Sequence, residues 1–117
     1  MDTTNLTAGS NFLKVSCGDY FSCGIASDGK AYCWGADWNG SLGDDATIAN
    51  KSIPVEVDTS NLPAGSKFID IGAGNYSSCG ITDQYKVFCW GTNTYGQLGN
   101  GNTTAQPTPV QIDTSAF

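Results

Sequence analysis

The chain is 117 residues long and carries a net charge of −6 at pH 7, with eleven Asp and Glu against five Lys and Arg and no His. Such an acidic surface repels phosphate backbones and anionic lipid, so nucleic acid is not expected as a partner. No apolar run is long enough for a bilayer-spanning helix, so membrane insertion is not expected either. Met1-Asp2-Thr3-Thr4 lacks the basic and apolar regions of a signal peptide, so a secreted form would have to be a mature chain.

Phe12 to Cys17 reads as a short strand that opens onto Gly18. Phe21, Cys23 and Ile25 then alternate with Ser22, Gly24 and Ala26, the period of two that marks a strand. Ser27-Asp28-Gly29 suits a three-residue hairpin loop, with Gly where the backbone must turn left-handed. Ala31 to Trp34 returns as a third strand, which sets Cys23 opposite Cys33. A Gly-rich turn from Gly35 to Gly43 and a polar loop follow. Pro54-Val55-Glu56-Val57 closes the unit as a fourth strand, and its Pro suits an edge position. The same order returns as Phe68 to Ile71, Ser77 to Thr82, Lys86 to Trp90 and Pro109 to Ile112. Tyr85 takes the place of Gly29, so the second hairpin must either strain or use another loop. No window has a helical period.

The chain therefore says nearly the same thing twice. Cys23 and Cys79 are 56 residues apart, and so are Cys33 and Cys89, Tyr20 and Tyr76, and Leu42 and Leu98. A period of this length marks a propeller or another repeat array. The expectation is an all-β chain of two four-stranded antiparallel sheets, residues 1–60 and 61–117. Apolar residues fall on both faces of each sheet: Cys23, Ile25 and Cys33 on one, Tyr32 and Trp34 on the other. A sheet apolar on both faces is sandwiched between neighbours, which is the condition of a propeller blade.

Cys23-Gly24-Ile25 with Cys33-Trp34-Gly35, the later Gly40-Ser41-Leu42-Gly43 or Gly96-Gln97-Leu98-Gly99, and the closing Pro-Val resemble the RCC1-type repeat of regulator-of-chromosome-condensation-like propellers. Trp90-Gly91-Thr92-Asn93-Thr94-Tyr95-Gly96-Gln97-Leu98-Gly99 is similar to that family's signature, and the resemblance covers nearly the whole chain. It implies a blade of a ring of about seven, and its Cys-bearing form is similar to repeats of secreted or surface proteins. Members include exchange factors for a small GTPase, an inhibitor of β-lactamases and many surface proteins, so the fold does not deliver the function. Guanine-nucleotide exchange is not carried over, because the loops it depends on match no residue here.

Cys23 and Cys33 would sit opposite each other on adjacent strands, as would Cys79 and Cys89, at separations a disulfide can span. Two disulfides, 23–33 and 79–89, are the leading expectation. Four small buried cysteines in a reducing compartment are the alternative. Zinc is disfavoured, because no closely spaced Cys pair or His is present to close a tetrahedron. Disulfides would place the chain outside the reducing cytosol, in an extracellular, cell-surface or virion setting. Cys17 is left over, and is expected to be buried and inert or to pair with another chain.

Catalysis lacks parts: there is no His, no phosphate loop and no carboxylate pair common to both repeats, so neither an enzyme nor a cofactor is expected. Asp37-Trp38-Asn39-Gly40-Ser41 with Asp44-Asp45 gathers the hard oxygen ligands calcium takes. Yet the spacing fits no complete loop motif and the second repeat has no matching acids, so a solvated acidic loop is expected and no metal. Asn5, Asn39, Asn50, Asn75 and Asn102 each begin an Asn-x-Ser/Thr acceptor, which counts only where secreted proteins are glycosylated. Trp34 and Trp90 recur at matching places and read as packing residues. Trp38 and Tyr95 lie in the Gly-rich turns, where exposed aromatics could anchor a protein or a carbohydrate.

Isolated repeats rarely bury enough surface, and this chain holds two. The leading function is a non-enzymatic structural and protein-interaction module, self-assembling or completing a larger propeller with other blades. Phe12, Tyr32 and Trp34 are expected to make the assembling contacts at one end, and Phe68, Phe88 and Trp90 at the other. Head-to-tail contacts between whole chains would give even-numbered rings or filaments. A soluble inhibitor or carbohydrate-binding domain using the loop aromatics is the alternative.

Overall fold

The computed structural model describes residues 2–115. Eight strands run in chain order: β1 (Phe12–Cys17), β2 (Phe21–Ala26), β3 (Ala31–Gly35), β4 (Lys51–Glu56), β5 (Phe68–Ala73), β6 (Ser77–Thr82), β7 (Val87–Gly91) and β8 (Gln106–Gln111). They form two four-stranded antiparallel meanders, β1-β2-β3-β4 and β5-β6-β7-β8, called blade 1 and blade 2 below.

The closing strands start earlier than the sequence suggests. Gly35 pairs with Lys51 and Gly91 with Gln106 across a bulge, so β4 and β8 carry Pro54 and Pro109 inside them. Both are edge strands, where a missing N–H breaks no second ladder. Their own carbonyls accept from side chains: the Asn5 side-chain amide donates to Pro54 O (3.0 Å) and that of Asn61 to Pro109 O (3.1 Å). The two β2–β3-type hairpins share one loop. Gly29 N–H donates to Ala26 O and Tyr85 N–H to Thr82 O, each at 2.9 Å. Tyr85 therefore holds φ 60°, a left-handed backbone that Gly29 adopts at lower cost.

Cys23 bonds Cys33, and Cys79 bonds Cys89, each at a directly opposed pair with Cα atoms 4.1 Å apart. Cys17 is exposed, which corrects the expectation of a buried thiol. It lies on a side of β1 that no described residue covers, whereas the matching Ala73 is half-buried against the neighbouring blade.

The core lies between the blades. Phe21, Cys23, Ile25, Cys33, Leu42 and Val57 of the first repeat meet Leu62, Phe68, Ile71, Phe88 and Trp90 of the second. Trp90 is fully buried and stands on Gly43, whose positive φ (70°) and missing side chain open the space; a Cβ there would lie 2.7 Å from the indole nitrogen. The indole N–H has no hydrogen-bond partner among the described residues. Leaving it unpaired costs about 1–3 kcal/mol, against about 4–6 kcal/mol from burying a side chain of this area, so packing wins.

Gly43→Ala and the matching Gly99→Ala separate packing from backbone strain. Gly99 has a similar φ (66°), but its Cβ would meet nothing nearer than 3.8 Å. Each substitution carries the same left-handed backbone cost, and Gly43→Ala also displaces Trp90. In urea melts of the dilute chain, Gly43→Ala is expected to cost about 1–3 kcal/mol more than Gly99→Ala. Equal losses would mean that Trp90 does not lock the two blades.

Candidate functional site

Two features stand apart from the core. The first is a pair of open sheet faces. On blade 1, Leu6 packs over Tyr32 with Phe12 beside them, and Phe12 lies 5.6 Å from Trp34. Trp34 is half-buried, Val15 is 44% exposed, and Cys17 is open. On blade 2, Cys79, Ile81, Val87, Val110 and Ile112 are half-exposed at the places where Cys23, Ile25, Ala31, Val55 and Val57 carry the core of blade 1. Grooves of about 350 Å³, along Gly72, Cys79, Gly80, Ile81 and Val87, and about 400 Å³, along Tyr85, Val87 and Ile112, run over this repeat.

This placement corrects one expectation. Phe68, Phe88 and Trp90 do not form the far end; they are buried inside the chain against blade 1. The aromatic side of one sheet packs on the Cys-Ile side of the preceding sheet. The free ends are therefore unlike: aromatic on blade 1 (Phe12, Trp34, with Tyr32 beneath), aliphatic on blade 2.

The second feature is an aromatic strip across the strand ends. Tyr20 and Tyr76 stack with ring centroids 5.9 Å apart and planes 10° apart, and Trp38 lies 5.1 Å from each. The mounts are stiff. Ala36 N–H donates to Tyr20 O and Thr92 N–H to Tyr76 O, both at 2.9 Å. Trp38 N–H donates to Ser41 Oγ, which donates in turn to Ala36 O. Asn39 reaches across to Thr92 Oγ1 (3.2 Å), so the strip spans both repeats. Trp38, Asn39, Ile48, Tyr76 and Thr92 line a groove of about 290 Å³.

Sequence reasoning singled out Trp38 but missed Tyr20 and Tyr76. Their signal was present, an aromatic recurring in Gly-x-Tyr turns at the repeat interval. Tyr95 is 91% exposed and forms none of the aromatic pairs found among the described residues.

The acid-rich loop is not solvated throughout. Asp37 is fully buried, and its carboxylate accepts from Leu42 N–H (3.4 Å) and Ala49 N–H (3.3 Å). Asn93, its counterpart, accepts from Leu98 N–H and donates to the Asn102 and Thr104 carbonyls, each at 3.0 Å. Both residues staple a Gly-rich turn to the loop behind it. Among the described residues, no cluster of three His, Cys, Asp or Glu is gathered for a metal. Elsewhere, Lys14 bonds Asp70 across the blades and holds that carboxyl below the usual range.

Two models of the regulator of chromosome condensation (RCC1) repeat match, one over residues 28–81 and 86–116, the other over 12–43 and 68–97. The chain belongs to the RCC1-repeat family. It is 32% identical over 108 residues to the human E3 ubiquitin-protein ligase HERC2, covering 91% of this chain and 2% of that protein. It is 31% identical over 103 residues to the mitochondrial RCC1 domain-containing protein RUG3 of Arabidopsis thaliana, covering 88% of this chain and 22% of that one. It thus spans a small part of these relatives. Among solved structures, human WBSCR16 matches with a TM-score of 0.76 at 21% identity, over 87% of this chain and 26% of that one. Yeast RCC1 (Prp20), seen bound to Kap60, matches with a TM-score of 0.72 at 20% identity, over 88% and 25%. At these identities the likeness shows the fold, a partial propeller.

Burial, working against the Ala49 and Leu42 amides, pushes the Asp37 carboxyl above the usual range. The folded chain then holds that proton more tightly than the unfolded chain. Stability at this position falls as pH rises from the ordinary carboxylate value, about 4, through the raised one. Asp37→Asn installs the residue of the second repeat. Its stability relative to the native chain is expected to improve as pH rises above about 4 in urea melts. A difference that does not change with pH contradicts this.

Proposed function

We propose that this chain is a non-enzymatic structural and protein-interaction module whose open sheet faces take further propeller blades, from copies of itself or from another chain. The observation that carries this reading is the internal junction. There the aromatic side of blade 2 packs on the Cys-Ile side of blade 1, and among the described residues the matching aromatic side of blade 1 and Cys-Ile side of blade 2 are open. The loops 36–52 and 92–107 are then displayed rigidly on one edge of the assembly. Prp20p of Saccharomyces cerevisiae is described with binding to Gsp1p and histones, which supports protein as the partner class. The two disulfides support work in an oxidising place, extracellular, on a cell surface or on a virion.

In repeat arrays, each added neighbour contributes an interface term to stability. A three-repeat chain, with residues 5–60 appended after residue 115, is expected to melt at higher temperature than the native chain. Ile81→Asp within it should remove the gain, because the charge would be buried unpaired. No gain from the third repeat would overturn the reading.

A second reading has its own observation. In the Tyr20–Trp38–Tyr76 strip, exposed Tyr20 and Trp38 flank half-buried Tyr76, bordered by Asn39 and Thr92, a surface that suits the apolar face of a neutral sugar. If it binds, Trp38→Ala abolishes retention on a glycan array while the melting temperature holds. Retention by the variant would dismiss this site.

A further inference from the structure

We propose that the partner of the open face of blade 2 is blade 1 of a second copy of this chain, docked head to tail in the register of the internal junction. This rests on the reading of the open faces as docking surfaces, and it names their occupant.

Charge comes first. Lys14 and Asp70 occupy the same place in the two repeats and are paired across the internal junction. In the next junction Asp70 would face the same place again. Blade 1 of a copy offers Lys14 there, so every junction joins Lys to Asp. A blade of the second type would set Asp against Asp.

Size gives the same answer. The Lys67 side chain lies against Gly29, where a Cβ would be 2.6 Å from it, and Phe68 N–H donates to Gly29 O (3.0 Å). At the next junction the Gly29 place holds Tyr85, 83% exposed, and the Lys67 place in blade 1 of a copy holds Asn11. The long side chain meets the glycine, and the short one meets the tyrosine.

The tryptophan and its seat also recur. Trp90 sits on Gly43 and Val57, while half-buried Trp34 has no such seat. Gly99 and Ile112 form the matching seat at the end of blade 2, with the same backbone turn at Gly99 and open space over it. Across the internal junction, Asp45 N–H donates to Pro107 O with Asp45 at φ 69°. Gly101, at φ 89°, repeats that turn opposite the place Ser52 of a copy would take. Tyr20 would stack on Tyr76 of the neighbour as it does within the chain. Two bonds have no counterpart: Gly72 stands at the Ser16 place, whose hydroxyl receives Ala73 N–H (3.0 Å), and Tyr95 stands at the Asn39 place.

The missing hydroxyl provides the test. In the repeated junction Gly72 lies beside Cys17 of the neighbouring copy, and a Cβ on Gly72 would meet nothing within 4 Å. Gly72→Cys, oxidised with glutathione disulfide, is expected to give a ladder of covalent multimers on a non-reducing denaturing gel. The ladder should vanish on adding either Cys17→Ser or Ile81→Asp. In the unaltered chain, Cys17 alkylation should slow several-fold as concentration rises. A monomer band alone, with Cys17 alkylated at one rate at every concentration, overturns the proposal. If the three-repeat chain is nonetheless stabilised, the open faces still dock blades and only the identity of the partner falls. If it is not stabilised, the underlying reading falls as well.

Discussion

The packing of one sheet's aromatic side on the Cys-Ile side of the other is the interaction on which the rest of the structure depends. A four-stranded sheet apolar on both faces has no interior of its own. The disulfides do not supply one. Each closes a short loop within a single sheet, worth roughly 2–3 kcal/mol by the loop-entropy account, and neither joins the sheets. The Lys14–Asp70 pair does join them, but both side chains are half-exposed, where water and salt screen an ion pair and leave it little net stabilisation. The buried core of Leu42, Val57, Phe68, Phe88 and Trp90 therefore carries the junction.

That junction also organises the exposed surface. The turns that bring Gly18 close to Gly74, and Gly40 close to Pro107, bring Tyr20, Trp38 and Tyr76 together from two repeats. The strip exists only because the blades meet in one register. Asp37 and Asn93 fix the Gly-rich turns from within, so Trp38 is presented on a stiff mount.

Much of this could be read from the residues. The alternation around Cys23 and Cys33 gave strands, facing and disulfide partners together, because opposed places in a hairpin follow from loop length. The sequence could not reveal which copy of a repeated face is covered. Trp34 and Trp90 have nearly identical neighbours in sequence, yet one is half-exposed and the other fully buried. That difference arises from what precedes each blade in space. The same holds for Cys17, which the sequence suggests is buried: the matching Ala73 is half-buried, but no described residue covers Cys17. Asp37 was read as solvated because acid-rich composition gave no sign that its carboxylate would turn inward to cap two amides. Tyr20 and Tyr76 escaped notice as a site because their pairing crosses repeats.

Docking between copies would join the open side of blade 2 to the open side of blade 1 as the internal junction joins the two blades. Native mass spectrometry over a range of protein concentration tests it most directly. Such docking gives whole multiples of the chain mass, growing with concentration and suppressed in Ile81→Asp. A single-chain mass at every concentration, unchanged by that substitution, would contradict it.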